Sequence, residues 1–305
     1  MSIESSLLAA IAVSPDDSLP RLVYADWLDE QGDPRAELVR VAEEMRRHPV
    51  WADEFQRLKP TRDRLREWFD PAWVVALGYQ RCHRPLFGTL PVRRDHRWRL
   101  AEEFIDVWHG GVWHGDEYTS DELAAAERRL GSALPAALRT WYRLGGRRRD
   151  VWANEEVFLP PDQLRWDAGY GLVFRRHGTF PTRWYILPHE VALDDPPVYR
   201  SDGDRVAAGS LSLFALFELL QEVQQVHISC ELYGDDDGRR PPLPTRFRPT
   251  GLPELDRQGA VVRFWEADDT LVMCERDDEW WYATCRTEEA YQHLVREFGD
   301  RVRRG

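Results

Sequence analysis

The sequence predicts an α+β protein in which a small all-helical N-terminal module precedes a larger domain, a mostly antiparallel or mixed bent sheet packed with helices. Two observations predict this class. Within the first seventy residues, apolar side chains recur only at three- and four-residue steps, whereas strand-like runs cluster after about residue 170 with helical patterns on either side. The length of 305 residues suits two domains or one large one.

The first seventy residues show four helical patterns separated by turn signals. Ser14 to Asp17 and Gly32 interrupt the apolar stripes, and Asp33-Pro34 is typical of an N-cap followed by proline at the first helical position. We therefore predict a small antiparallel bundle over residues 1–70. Proline and glycine interrupt residues 71–95, which we predict to be a linker with partial packing, and we predict the second domain over residues 96–305.

The second domain contains both kinds of pattern. Thr119 and Glu122 form a candidate capping box, Ser210 a candidate N-cap, and Gly145-Gly146 a helix stop. Helices are predicted from about 96 to 108, after 119, from 134 to 145, after 210 and around 290–298. Strands are predicted at 171–175, 182–187, 197–200, 261–266, 271–275 and 279–284, the last three as a meander.

The charge balance excludes several classes of function. The chain has 53 acidic and 41 basic side chains, a net charge of -12, which disfavours general binding to nucleic acid and favours a basic partner. Lys59 is its single lysine, so a P-loop, a kinase site and a pyridoxal Schiff base are all disfavoured. No apolar run of about 18 residues occurs and the start lacks a signal-peptide pattern, which predicts a cytoplasmic protein without a membrane partner.

The segment from Pro20 to Arg40, PRLVYADWLDEQGDPRAELVR, resembles a short bacterial module known as the repeat-companion domain. The resemblance covers about residues 1–45. No biochemical activity is established for that module, so the resemblance implies a helical adaptor.

A second resemblance covers about residues 96–305. The run YTSDELAAAERRLG from Tyr118, LPAALRTWYRLGG from Leu134, WYILP from Trp184 and LDDPPVY from Leu193 resemble the SUKH superfamily of Smi/Knr-like proteins. Leu144 stands where the family commonly has asparagine before its glycine pair. The resemblance implies a non-enzymatic protein-binding domain, because most members are immunity proteins that neutralise polymorphic toxins, many of them nucleases, and a fungal branch acts as a scaffold.

Several candidate sites have simpler structural interpretations. His109 and His114 have a spacing that zinc could use, but further ligands are not evident, so no metal is predicted. His227, Cys230, Cys274 and Cys285 are interpreted as a strand histidine and buried thiols. The acidic turns at 202–204 and 235–238 lack the twelve-residue pattern of a calcium loop, and no cofactor is expected.

The candidate partner-binding residues combine acidic loops with two adjacent tryptophans. Neighbours on a strand face opposite ways, so one of Trp280 and Trp281 could be an exposed anchor inside an acidic rim. The alternative is that both are buried between the sheet and the helices. The set comprises Asp194, Asp195, Asp235, Asp236, Asp237, Asp277, Asp278, Trp280 and Trp281.

The leading hypothesis is a non-enzymatic protein that binds another protein, most specifically an immunity protein that neutralises a basic toxin domain through this acidic surface. The first alternative is an intracellular scaffold or regulatory module without a toxin partner. The second alternative is an uncharacterised hydrolase, because a spatial Ser-His-Asp arrangement is assembled by the fold. The sequence leaves the partner and the oligomeric state open.

Overall fold

The computed structural model describes residues 2–14, 17–78, 86–111, 114–152, 156–202, 205–234, 242–257, 260–267, 269–275 and 280–304. The chain divides into two compact units, residues 1–89 and residues 90–305. The first unit is helical and the second combines helices with antiparallel sheets, so the predicted α+β class is confirmed. Among the described residues, no helix has both the length and the apolar character that crossing a lipid bilayer requires.

The first unit contains the four predicted helices and a fifth short one. They are α1 (Ile3–Val13), α2 (Ser18–Glu30), α3 (Arg35–Met45), α4 (Asp53–Glu67) and α5 (Pro71–Ala76). The carboxylate of Asp33 accepts a hydrogen bond from the backbone N–H of Arg35 at 2.9 Å, which places the predicted cap at the start of α3.

Buried polar contacts attach α5 to the first unit. Trp73 donates its ring N–H to the hydroxyl of Tyr24 at 2.9 Å, and Arg21 donates to the carbonyl of Leu77 at the same distance. Both Tyr24 and Arg21 are fully buried. The helical unit therefore extends past residue 70, where the first module was predicted to end, and Trp73, Val74 and Leu77 are buried in its core.

The second unit contains the predicted helices, several of which extend beyond their predicted ends. It also contains α9, which the sequence did not predict. They are α6 (Arg94–His109), α7 (Ser120–Leu130), α8 (Ala136–Arg143), α9 (Arg149–Trp152), α10 (Leu211–Glu222) and α11 (Glu288–Phe298). Thr119 and Glu122 form the predicted capping box at α7, and the side chain of Ser210 accepts from the N–H of Leu213 at α10.

The strands of the second unit form two antiparallel sheets where the sequence predicted one. The first sheet contains β1 (Glu156–Phe158), β2 (Arg165–Asp167), β3 (Gly171–His177), β4 (Arg183–Ile186), β5 (Val198–Arg200) and β6 (Arg205–Ala208). Their order is β1-β3-β4-β5-β6, with β2 also on β3. Gly171, at a φ of +138°, brings its backbone so close to the carbonyl of Ile186 that a Cβ would lie 2.2 Å from that oxygen, so only glycine fits there.

The second sheet contains the predicted meander and four further strands. They are β7 (Ile228–Leu232), β8 (Arg248–Pro249), β9 (Leu255–Arg257), β10 (Ala260–Ala267), β11 (Thr270–Glu275), β12 (Trp280–Cys285) and β13 (Val302–Arg304). The order is β13-β7-β12-β11-β10-β8, with β9 also on β10. Helix α11 covers one face of this sheet through Leu294 and Phe298.

Helix α10 lies in the core of the second unit and contacts both sheets. The ring of Phe214 lies 6.4 Å from that of Trp184 in the first sheet, and the ring of Phe217 lies 5.5 Å from that of Phe264 in the second. Nearly every residue of α10 is buried, which explains its high apolar content without a polar face.

Arg175 is fully buried between β3 and α10, against the usual preference for solvent. Its guanidinium forms ion pairs with Glu156 at 2.7 Å, with Glu222 at 2.8 Å and with Glu218. A bulge in the register between Val173 and Arg175 turns the arginine towards this cluster. The three carboxylates hold the pKa of Arg175 above its ordinary value although burial acts in the opposite direction.

Candidate interaction surface

The two adjacent tryptophans of β12 point in opposite directions. Trp281 packs into the core beneath α11 and stacks on Trp265, with ring centroids 5.4 Å apart and ring planes 13° apart. Trp280 points to the other face of the sheet and is 44% exposed. The side chain of Trp280 is therefore the one available to a partner.

Strand register places further aromatic and charged residues beside Trp280. Tyr282 is two residues along the strand and shares its face, and Glu275 on β11 lies directly opposite Trp280. Glu231 on β7 lies opposite Tyr282, and Arg303 on β13 lies opposite Glu231. We call this surface the Trp280 face: Trp280, Tyr282, Glu275, Glu231 and Arg303.

The positive and negative charges of the Trp280 face lie at different places on it. Arg303 lies at the β13 end, where its guanidinium is 4.5 Å from the ring centroid of Tyr233. The hydroxyl of Tyr233 donates to Glu231, and this hydrogen bond raises the pKa of Tyr233. Glu275 and Glu231 flank the two aromatic side chains, so the aromatic part of the surface has carboxylates on both sides.

The net negative charge of the chain is concentrated in the part of the sequence that contains most strands of this sheet. Residues 90–305 carry nine of the twelve net negative charges, and residues 231–300 alone carry eight. The segment between β11 and β12 contains Asp277 and Asp278, directly before Trp280 in the chain. These two residues, together with Asp235, Asp236 and Asp237, lie outside the described residues.

Asp194 and Asp195 lie elsewhere, in the connection between β4 and β5 of the first sheet. Asp194 has a side chain 81% exposed and forms an ion pair with Arg94 at 3.2 Å. Asp195 is largely buried and accepts from the backbone N–H of Ser212 at 2.8 Å and from its hydroxyl at 2.6 Å. Both oxygens of Asp195 therefore bind the first turn of α10, which gives this carboxylate a structural role.

The histidines considered as zinc ligands have different environments. His109 packs against the rings of Phe104 and His227, with centroid distances of 6.3 and 6.0 Å, whereas His114 is fully exposed and pairs with Glu117. Burial, with a smaller contribution from His227, lowers the pKa of His109 to about 4. Within the described part of the chain, no three histidine, cysteine or acidic side chains are grouped as metal ligands would be.

Cys230, Cys274 and Cys285 of the second sheet are buried thiols outside any disulfide, which confirms their interpretation as buried thiols. Burial raises the pKa of Cys230 to about 12 and that of Cys285 to about 11. Both thiols therefore remain protonated at neutral pH and are poor nucleophiles.

Sequence patterns could have found only part of this surface. Tyr282 follows from the two-residue period of a strand that contains Trp280. Glu231, Glu275 and Arg303 join it through the pairing of β7, β11, β12 and β13, which depends on residues far apart in the chain.

Comparison of the chain with protein-family models, with curated proteins and with solved structures found no match.

Proposed function

We propose that residues 90–305 form a non-enzymatic protein-binding domain whose Trp280 face binds a basic partner. The observation that carries this proposal is the exposure of Trp280 beside Tyr282, with Glu275 and Glu231 opposite them on the neighbouring strands. Tryptophan and tyrosine are the residue types that most often dominate the energy of protein interfaces.

The same arrangement favours a cationic side chain of the partner. An arginine or lysine above the ring of Trp280 gains a cation–π interaction of about 0.5–2 kcal/mol, and the neighbouring carboxylates add charge-assisted hydrogen bonds. The eight net negative charges between residues 231 and 300 accelerate encounter with a basic protein. Charge and aromatic surface thus favour the same class of partner.

The most specific form of the proposal is an immunity protein that neutralises a basic toxin in the cytoplasm. It is supported by the resemblance of residues 96–305 to the SUKH superfamily and by the acidity of the second sheet. The protonated state of Cys230 and Cys285 argues against either thiol acting as a nucleophile at that sheet.

A scaffold without a toxin partner is the second candidate, and one feature of the first unit favours it. Leu19 and Val23 lie one turn apart on α2, and their side chains are 65% and 45% exposed. An apolar pair at this spacing is a common anchor for a helical or extended partner segment.

Co-expression with each product of the neighbouring genes tests both forms of the proposal. In the immunity form, one product stops cell growth, the chain restores growth and co-purifies with it, and Trp280→Ala weakens the complex at least tenfold. A partner that binds without toxicity supports the scaffold form, and the absence of any toxic or bound product contradicts the immunity form.

Phe180→Ala is the matched control, because Phe180 is a 60% exposed aromatic residue in the connection between β3 and β4, outside the second sheet. It should leave binding unchanged. Equal losses from Phe180→Ala and Trp280→Ala would show that the Trp280 face is not the interface.

A further inference from the structure

An open depression of about 440 Å³ lies beside β7 in the second sheet, and none of the residues of the Trp280 face lines it. Its lining is Val226, His227, Ile228, Ser229, Arg286 and Arg304. Strand β13 pairs with β7 only from Cys230 to Leu232, and the depression lies beside Ile228 and Ser229, just beyond that paired stretch.

Two arginines make the depression cationic within an acidic domain. Arg304 is more than half exposed, and its contact with the equally exposed Glu288 is 3.5 Å long. An exposed ion pair of this kind contributes little to stability, so another anion can readily replace Glu288 beside Arg304. Arg304 is therefore available to an incoming oxyanion.

Arg286 is held more firmly, yet part of its guanidinium remains available. Its Nε and one terminal nitrogen donate to a single oxygen of Asp269, and the other terminal nitrogen donates to the carbonyl of Val107 at 3.1 Å. A guanidinium has five N–H donors, so contacts within the described residues use three and leave two. Asp269 and Val107 thus orient a partly unsatisfied arginine in the wall of the depression.

The other residues that line the depression are uncharged. The Nε2–H of His227 donates a hydrogen bond to the carbonyl of Trp108 at 2.6 Å. Burial lowers the pKa of His227; Arg286 adds to this effect and the hydrogen bond opposes it. The imidazole is therefore neutral near pH 7. Val226, which is 39% exposed, and Ile228 offer apolar surface to a ligand.

We propose that this depression binds a small organic phosphate, with the phosphate on Arg304 and Arg286 and the organic part against Val226 and Ile228. Arginine is suited to phosphate because its planar fork donates two parallel hydrogen bonds. A volume of about 440 Å³ lies in the range of small-molecule sites. The inference is independent of the Trp280 face, since it uses none of its residues.

Isothermal titration of the full chain with phenyl phosphate tests the proposal, because this probe carries an oxyanion and a small apolar ring. We expect saturable binding that is at least fivefold tighter than that of inorganic phosphate, and no binding of phenol. Absence of saturable binding of phenyl phosphate, or equal affinities for phenyl phosphate and inorganic phosphate, would overturn it.

Arg304→Gln and Arg303→Gln form a matched pair for the same titration. They are adjacent, both exposed and of equal charge change, but Arg303 packs on Tyr233 and does not line the depression. Arg304→Gln should weaken the binding of phenyl phosphate about tenfold, and Arg303→Gln should leave it within twofold. Equal weakening by both variants would indicate general attraction of anions and contradict a site.

Discussion

Trp281 and Trp265 stack on the same face of the second sheet, with their ring centroids 5.4 Å apart. This stacking fixes the orientation of β12, because one face of the strand must carry Trp281 inward and the other must carry Trp280 outward. The two neighbouring residues therefore have separable roles in stability and in recognition.

Replacement of each tryptophan should separate these roles. Trp281→Ala removes a packed aromatic side chain and should lower the free energy of unfolding by about 3 kcal/mol. Trp280→Ala removes a side chain that is 44% exposed and should change it by about 0.5 kcal/mol or less. Urea denaturation of both variants checks this, and a comparable loss in Trp280→Ala would show that Trp280 is part of the core.

The adjacent pair Asp194 and Asp195 offers a second matched comparison. Asp195→Ala removes both hydrogen bonds to Ser212 at the start of α10 and should cost about 1–2 kcal/mol of unfolding free energy. Asp194→Ala removes an exposed ion pair with Arg94 and should cost about 0.5 kcal/mol or less. Thermal denaturation at pH 7 measures both, and equal effects would contradict the structural role assigned to Asp195.

His109 should make the protein less stable in mild acid. Its pKa falls from the ordinary 6.5 to about 4 because the ring is buried, so the folded state resists protonation that the unfolded chain accepts. The stabilising effect is complete above pH 6.5 and is lost as the pH falls to about 4, by up to about 3 kcal/mol.

His109→Phe should therefore flatten the pH dependence of the urea midpoint between pH 6.5 and pH 4 while leaving stability at pH 7 nearly unchanged. The fully exposed His114 supplies the control, since His114→Asn should leave the pH dependence of the wild-type chain intact. If the two variants behave alike, His109 does not titrate as a buried group.

Arg175 and its neighbour Arg176 test the buried charge cluster. Arg175→Met leaves the carboxylates of Glu156, Glu218 and Glu222 without their cation and should cost about 3–5 kcal/mol. Arg176→Met alters an exposed side chain on the same strand and should cost about 0.5 kcal/mol or less. Urea midpoints at pH 7 measure the difference, and a small effect of Arg175→Met would mean that the cluster adds little to stability.

Local signals in the sequence predicted the helices well. The capping box of Thr119 and Glu122, the cap at Ser210 and the αL glycine Gly110 after α6 each act within a few residues, so each is readable without the fold. The proline at position 71 and the lack of an apolar period predict a linker here, but the structure has the short helix α5. Its position depends on a tertiary contact between Trp73 and Tyr24, which no local pattern indicates.

Non-local pairing limited the prediction of the sheets. Strand β7 pairs with β12 and β13, which follow it by roughly fifty to seventy residues, so no local pattern indicates that the strands separate into two sheets. Arg175 ends an apolar run and has the composition of an exposed residue, but a bulge turns it inward. Which of Trp280 and Trp281 points outward also depends on the register of β12 with its neighbours, and local sequence does not give that register.

The sequence predicted the kinds of residue on the candidate surface better than it predicted their positions. An exposed tryptophan within acidic surroundings followed from the alternation of β12 and from composition. The participation of Glu231 and Arg303 required strand order, and the cationic depression required Arg286 and Arg304 to meet from opposite ends of α11.

Helix α10 touches one sheet through Phe214 and the other through Phe217. Neither half of residues 90–305 can therefore bury its own apolar surface when it is expressed without the other. Calorimetry of this region should show a single transition, and fragments cut between the sheets should aggregate instead of folding.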